Sequence, residues 1–345
     1  MGTEFSHDFD EHVATELLVD ARRRCTPVLE AALSALPGPF PLMAGYQLGW
    51  WDSKAVRGNF RQGKSIRAAL VFAAAQACGG TAADAVFAAA AIQLVHNFTL
   101  IHDDLIDDDI VRRGRPTVWS VWGKTNAILL GDALHAAAIN LLTDAPWPDG
   151  MISAAIRKIT MAATEACAGQ FEDCAFETAG DIDTAAYLRM AMGKTGALVG
   201  CSCALGALCA GAEPAMVDAL DRFGRELGMA FQFTDDLMGI WGDPEVTGKP
   251  AGADIARRKR TLPIVAALRS GTPEAAALGR IFRSKALLTA NDIAHATALV
   301  AAAGGRTYTA RAAIERAVAA VEMLPDRADT SALVALTSLA VHRDH

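Results

Sequence analysis

Five aspartates crowd the end of an otherwise apolar run, Leu100-Ile101-His102-Asp103-Asp104-Leu105-Ile106-Asp107-Asp108-Asp109. With about 3.6 residues per helical turn, Asp103 and Asp107 share a face, and two carboxylates there offer the oxygen donors that a hard divalent cation such as Mg²⁺ takes. His96 lies seven residues before Asp103, on nearly the same face. A second apolar run, Leu227 to Thr234, ends in Asp235-Asp236. Two apolar helices that each terminate in acids suit a cavity with metal ions at its rim and an apolar interior. The plainer reading of either cluster is a solvated helix end, but acids near a helix C-terminus oppose the macrodipole and call for a compensating cation. An EF-hand loop is excluded, because its alternating acids, central glycine and terminal glutamate are missing.

Cations stand close to these acids in the sequence. Gly63-Lys64-Ser65-Ile66-Arg67 opens an alanine-rich helix expected to run to Cys78 and stop at Gly79-Gly80. Two cations at a helix start oppose its dipole, which makes sense if they hold an anion together with the free N–H groups there. Directly after the first aspartates comes a basic loop, Arg112-Arg113-Gly114-Arg115-Pro116, so metal and phosphate are expected to share a site. Lys194-Thr195 and Gln232 lie within later helical patterns, and the Gly- and Pro-rich loop from Gly242 to Ala253 holds Asp243 and Lys249.

The elements that must carry these groups read as helices. A first is expected over about Asp10 to Leu36, stopped by Pro37-Gly38-Pro39, followed by an irregular connection to Phe60 with one short helical turn at most. Thr81 with Asp84 resembles a capping box, opening a helix that runs to the first acidic cluster. One helix is expected from Val118 to Leu142, one from Met151 to Phe176, one starting near Asp183 and containing Lys194-Thr195, and one after Pro214 ending at Asp235-Asp236. Arg260-Thr261-Leu262-Pro263 begins a further one, and shorter helices fill the remainder. Period-two alternation is missing, so residues 1–345 are expected to form a single all-α domain of ten or more helices.

Composition narrows the function classes. Hydrophobic residues make up 52% of the 345 and charged residues 21%, which excludes disorder and favours a large core. The net charge is -7 and the one basic block is Arg257-Arg258-Lys259-Arg260, which argues against nucleic acid as a partner. Seven scattered cysteines with no CxxC pair read as free thiols in a reducing compartment and argue against zinc. The acidic N-terminus lacks the basic and apolar regions of a secretion signal, so a cytoplasmic location is expected. Thr195 to Ala212 is uncharged, but its Gly, Ala, Cys and Ser content fits a buried helix better than a membrane span.

With both acidic clusters, the Gly-Lys-x-x-Arg segment and the basic loop in their order and spacing, the sequence resembles the trans-isoprenyl diphosphate synthases, the polyprenyl synthetase family, over about residues 63–263. That resemblance implies the all-α isoprenoid synthase fold, a single large helical bundle around a deep central cavity. It implies Mg²⁺-dependent condensation of isopentenyl diphosphate with an allylic diphosphate, with three Mg²⁺ per active site, in a homodimer. The family's first aspartate-rich motif is matched by Asp103, Asp104 and Asp107, followed by Arg112 and Arg113; its second by Phe231, Gln232, Asp235 and Asp236. These aspartates would hold metal. Lys64, Arg67, His96 and Arg113 match the isopentenyl diphosphate pocket, while Arg112, Lys194 and Lys249 match groups that contact the allylic diphosphate. Lys194, Thr195 and Gln232 match catalytic positions, Lys194 at the departing diphosphate and Gln232 and the Thr195 oxygen lending dipoles nearby. The chain departs from the pattern at Gly239, where the second motif usually has a third aspartate, and at Ser65 and Ala68, which leave the lysine and arginine in place.

Product length in the family is set by side chains four and five residues before the first aspartate. Here these are Thr99, which is small, and Phe98, a barrier turned to the side. The resemblance therefore favours geranylgeranyl diphosphate over farnesyl diphosphate. The rival is a class I terpene cyclase using a single allylic diphosphate, kept open by Gly239 but having no need of a second anion pocket. A catalytically inactive partner subunit would be expected to have lost parts of the first aspartate motif, which is intact.

Overall fold

Alanine, the strongest helix former, dominates the helices that carry the first acidic cluster. In the computed structural model, which describes residues 11–58, 60–177, 181–244, 250–284, 286–325 and 328–341, helix α3 (Ile66–Ala77) reads IRAALVFAAAQA. Helix α4 (Ala82–Ile106) opens with a complete capping box between Thr81 and Asp84. Its alanines 88 to 91 are fully buried. One-methyl side chains let neighbouring backbones come close: a Cβ on Gly206 would fall 2.2 Å from the carbonyl oxygen of Val71 on α3.

The chain divides into two compact units. The first comprises residues 1–161, 201–221 and 324–336. It contains α1 (Glu11–Ser34), α2 (Phe40–Leu48), α3, α4, the two-residue strands β1 (Val111–Arg112) and β2 (Arg115–Pro116), α5 (Val118–Trp122) and α6 (Lys124–Thr143). Helix α4 is its axis, packed against α6, α3 and α1. The second unit comprises 162–200, 222–323 and 337–345. Helix α7 (Asp149–Phe176) enters it, followed by α8 (Thr184–Ala191) and a π turn over Met192–Gly196. Next come α9 (Ala197–Cys209) and α10 (Pro214–Trp241), each divided between the units, then α11 (Ala253–Ala256), α12 (Leu262–Leu268), α13 (Pro273–Arg283), α14 (Ala290–Ala302), α15 (Gly305–Glu322) and α16 (Ser331–Val341), the last divided after Leu336. Two apolar clusters fill this unit, one around Tyr187, Met229, Phe233 and Leu262, the other around Ile240, Ile255, Leu278 and Val300.

Four expectations about elements change. The helix expected to end at Asp235-Asp236 runs on to Trp241, so those acids lie within α10 and not at its C-terminus. The connection before Phe60 contains a nine-residue helix, α2, because Pro41 lies in its first turn, where proline starts a helix instead of breaking it. The helix expected from Val118 to Leu142 is two, α5 and α6, broken at Gly123 with φ 87°. The helix containing Lys194 widens into the π turn. Three helical stretches, Ala82–Ile106, Lys124–Thr143 and Thr184–Cys209, are long and apolar enough to cross a membrane, by length and composition alone.

Candidate active site

In the first unit the aspartates close α4, with Asp107 as its C-cap. Asp104 is buried, and Arg112 Nε donates to its Oδ1 at 2.6 Å. Burial pushes this carboxyl up to about 6, against the pull of the Arg112 charge and hydrogen bond. Trp119 Nε1 lies 2.9 Å from the carbonyl oxygens of both Asp104 and Asp109, pinning the end of the acidic segment. Asp103 and Asp107 are half-buried.

The basic loop is a hairpin, with Arg112 opposite Arg115. Its two linking residues, Arg113 and Gly114, have φ 54° and 74°, the left-handed pair of a type I′ turn. For arginine that conformation costs about 1 kcal/mol. Such strain gathers around functional groups, and Ser65 at the start of α3 (φ 59°) and Asp108 (φ 50°) share it. The turn separates three arginines. Arg112 binds Asp104, while Arg115 is sandwiched between Tyr46 and Phe60 and donates to the carbonyl of Trp51 at 2.8 Å. Arg113 lies against Gly63, where a Cβ would come within 2.8 Å of its guanidinium. Arg22 of α1 donates to the Gly63 carbonyl at 2.9 Å and so fixes the residue before Lys64. On α3 and α4, Arg67 Nη1 and His96 Nε2 are 3.1 Å apart. Burial first, then the charges of Arg67, Arg113 and Arg112, hold His96 well below the usual imidazole range, so it is neutral. Its Nε2 then accepts from Arg67, which places the ring proton on Nδ1, a buried atom with no hydrogen-bond partner among the described residues. Burial and Arg112 also lower Arg113, to about 10, with Asp104 opposing and Arg22 adding to the fall. The first unit thus concentrates positive charge beside its carboxylates, an arrangement suited to a diphosphate.

The second unit holds a connected polar chain. Lys194 lies in the π turn, and its Nζ donates to Asp173 Oδ2 of α7 at 2.5 Å. The close approach requires Gly169, whose Cβ would fall 2.2 Å from the Lys194 backbone nitrogen. Thr195 Oγ1 donates to Gln232 Oε1 at 2.5 Å, and Gln232 Nε2 donates to Asp236 Oδ1 at 2.9 Å. The other oxygen of Asp236 accepts from the Leu262 N–H at 2.8 Å and from the Tyr187 hydroxyl. Burial pushes Asp236 up to about 7 against these hydrogen bonds, and burial with the Asp236 charge raises Tyr187 well above the usual phenol range. Asp235 next to it is exposed. Lys249 lies outside the described residues.

The donors fit Mg²⁺. Among the described residues no three carboxylate, imidazole or thiolate groups converge as an all-protein cage would require. Mg²⁺ is ordinarily held by one or two carboxylates together with water and substrate phosphate oxygens, which Asp103 with Asp107, and Asp235, can provide. Arg22, Asp173 and Tyr187 carried no motif that singled them out as partners of these sites; each comes from a distant stretch of chain.

Residues 51–300 match the polyprenyl synthetase family profile. The chain belongs to that family. A geranylgeranyl diphosphate synthase of Mycobacterium tuberculosis is 53% identical over 329 residues, 95% of this chain and 93% of its own length. A (2E,6E)-farnesyl diphosphate synthase of Mycobacterium bovis is 40% identical over 315 residues, 89% and 87% of the two chains. Among solved structures, a polyprenyl synthetase from Streptomyces coelicolor A3(2) superposes with a TM-score of 0.89 at 38% identity, over 95% of this chain and 99% of its own. A geranylgeranyl pyrophosphate synthase from Corynebacterium glutamicum, solved with isoprenyl diphosphate and magnesium, gives 0.81 at 28% identity, over 95% and 99%. The all-α isoprenoid synthase fold is therefore that of this polyprenyl synthetase, and its activity class is prenyl transfer.

Proposed function

We propose that this polyprenyl synthetase condenses isopentenyl diphosphate with an allylic diphosphate and releases geranylgeranyl diphosphate. The observation that carries the reading is the Arg67–His96 pair beside Arg113, an anion site additional to the two aspartate-rich segments. A cyclase acting on a single diphosphate has no use for it. Lys64, Arg67, Arg113 and the Nδ1–H of His96 hold isopentenyl diphosphate. Asp103, Asp107 and Asp235 hold Mg²⁺, with Asp104 and Asp236 as their buried neighbours. Mg²⁺ held by these carboxylates, three ions by family likeness, would supply compensation for the charge of the departing diphosphate. By family likeness Arg112 and Lys194 match groups that contact that leaving group, and Lys249, outside the described residues, matches by sequence alone. Thr195 has committed its hydroxyl proton to Gln232, so lone pairs are what it can turn toward an allylic cation, and Gln232 fixes that orientation. Apolar side chains keep water from the cation.

The 53% identity to a geranylgeranyl diphosphate synthase supports a twenty-carbon product. So does the packing of Phe98, whose ring is buried between His102 and His135, with centroids 5.1 and 5.2 Å away, while Thr99 Oγ1 donates to the His96 carbonyl. Phe98 is thus turned toward α6 and Thr99 stays small. Phe98→Ala is expected to lengthen the products and Thr99→Phe to shorten them, as read by chromatography of the dephosphorylated prenols. Free cysteines throughout favour a reducing, cytoplasmic setting. A homodimer whose three apolar helices serve as core and interface, not as membrane spans, completes the reading.

The deciding experiment incubates purified protein with Mg²⁺, labelled isopentenyl diphosphate and dimethylallyl, geranyl or farnesyl diphosphate in turn. Label is expected in a twenty-carbon allylic diphosphate. Cyclic hydrocarbon formed from the allylic substrate alone, with no label incorporated, would replace this reading with the cyclase.

A further inference from the structure

We infer that Asp254 supplies, from a separate helix, the carboxylate that the second aspartate-rich segment lacks at Gly239. The inference rests on Asp235 being a metal ligand, as proposed above. Asp235 and Gly239 stand in the same i, i+4 relation on α10 as Asp103 and Asp107 at the end of α4, so position 239 is where the second segment would repeat the carboxylate of Asp107. Position 239 has no side chain. A Cβ built there would fall 2.0 Å from Oδ2, 2.6 Å from the carboxyl carbon and 3.1 Å from Oδ1 of Asp254. The carboxylate of Asp254 therefore occupies the space in which a side chain at 239 would begin.

The backbone is built to bring it there. Helix α11 starts after Gly252, which has φ 74° and whose N–H donates to the Ile240 carbonyl at 3.0 Å, tying the helix start to the end of α10. Ile255, the next residue, is fully buried in the cluster that contains Ile240, which leaves Asp254 half-buried beside Gly239. Gly239 and Asp254 act as one device: any side chain at 239 displaces the carboxylate, and the carboxylate makes an aspartate at 239 redundant. With Asp235 as the direct ligand, Asp254 takes the role of orienting carboxylate for a hard divalent cation and its water.

The test uses Mn²⁺ and inorganic diphosphate with the full-length protein, measuring bound Mn²⁺ by electron paramagnetic resonance, with circular dichroism melts to confirm folding. Asp254→Asn keeps the shape and removes the charge, and it is expected to weaken one class of diphosphate-dependent Mn²⁺ by about 10- to 100-fold. Gly239→Ala is expected to do the same by pushing the carboxylate aside. Gly239→Asp with Asp254→Ala should recover affinity to within a few-fold of the parent, because the charge returns through the other helix. Parental Mn²⁺ binding in Asp254→Asn, while Asp235→Ala loses it, overturns this inference and leaves the reading of Asp235 standing. Parental binding in Asp235→Ala overturns both. A double variant no better than Asp254→Ala assigns Asp254 to packing and also overturns the proposal; should the double variant not fold, Asp254→Asn decides alone.

Discussion

Within each aspartate pair the second member is buried and held by hydrogen bonds, while the first stays nearer the solvent. Asp104 is fixed by Arg112, and Asp236 by Gln232, Tyr187 and the Leu262 N–H. The two members should therefore fail differently when their charge is removed. Asp103→Asn is expected to lower kcat by orders of magnitude, because it removes a proposed metal ligand, with a smaller change in Tm than at the buried Asp104, because Asp103 is half-exposed. Asp104→Asn should cost about 1–3 kcal/mol of stability as well, since Arg112 loses a charged partner in a buried setting. Equal Tm values for the two variants would contradict the division. His96 adds a dependence on pH. Its folded pKa lies below the ordinary value of 6.5, so under more acidic conditions the unfolded chain takes up a proton that the native chain refuses. Stability is then fully present above 6.5 and falls as pH drops below it. Denaturant unfolding at pH 5 and pH 7 should show this loss in the parent and a smaller one in His96→Asn. An equal loss in both would mean that His96 titrates freely.

At the scale of the element, the π turn at Met192–Gly196 is where regular structure gives way to chemistry. An α-helix cannot widen there without a gap beside it, and Gly169 on α7 provides the gap. Gly169→Ala is expected to destabilise the protein by about 1–3 kcal/mol through overpacking. It should also lower kcat more than it changes the KM for isopentenyl diphosphate, because Lys194 and Thr195 move while the Arg67–His96 pair does not. A pure stability loss with normal kinetics would separate the turn from the reaction. The sequence made much of this scene legible. The capping box at Thr81 and Asp84, the first aspartate register at the end of α4 and the Lys64-to-Arg67 segment at the start of α3 are local signals, and each lies where it is expected. What the sequence does not carry are features decided by a neighbour. Gly169 is silent until Lys194 is brought against it, Gly239 reads as a departure but not as the space that Asp254 fills, and Arg22 meets Gly63 across 41 residues of chain. Local punctuation is ambiguous where one residue type has two meanings: Pro41 lies in the first turn of a helix within the stretch expected to be irregular, and Gly123 ends one that apolar periodicity carries straight through.

At the scale of the whole molecule, the three most apolar helical stretches differ in how well the chain covers them. The apolar windows of Ala82–Ile106 and Thr184–Cys209 are 61% and 72% buried, but that of α6 is only 44% buried. Its outer face exposes Ile128 and Leu129 by 46% and 47%, followed by the exposed Ala136 two turns on. Apolar side chains adjacent on one face of a helix favour a protein or lipid partner over water. A second copy is the partner expected from the family, and the face suits it, since Asp132 and Asn140 in the same stripe would be costly to place in hydrocarbon. Light scattering at micromolar concentration should therefore give twice the chain mass of 36.2 kDa. Leu129→Glu should shift that mass toward the monomer without unfolding the helices, because the side chain is half-exposed within its own chain. A monomeric parent would refute the dimer, and parent protein that floats with anionic vesicles while Leu129→Glu does not would show that this face of α6 meets lipid instead.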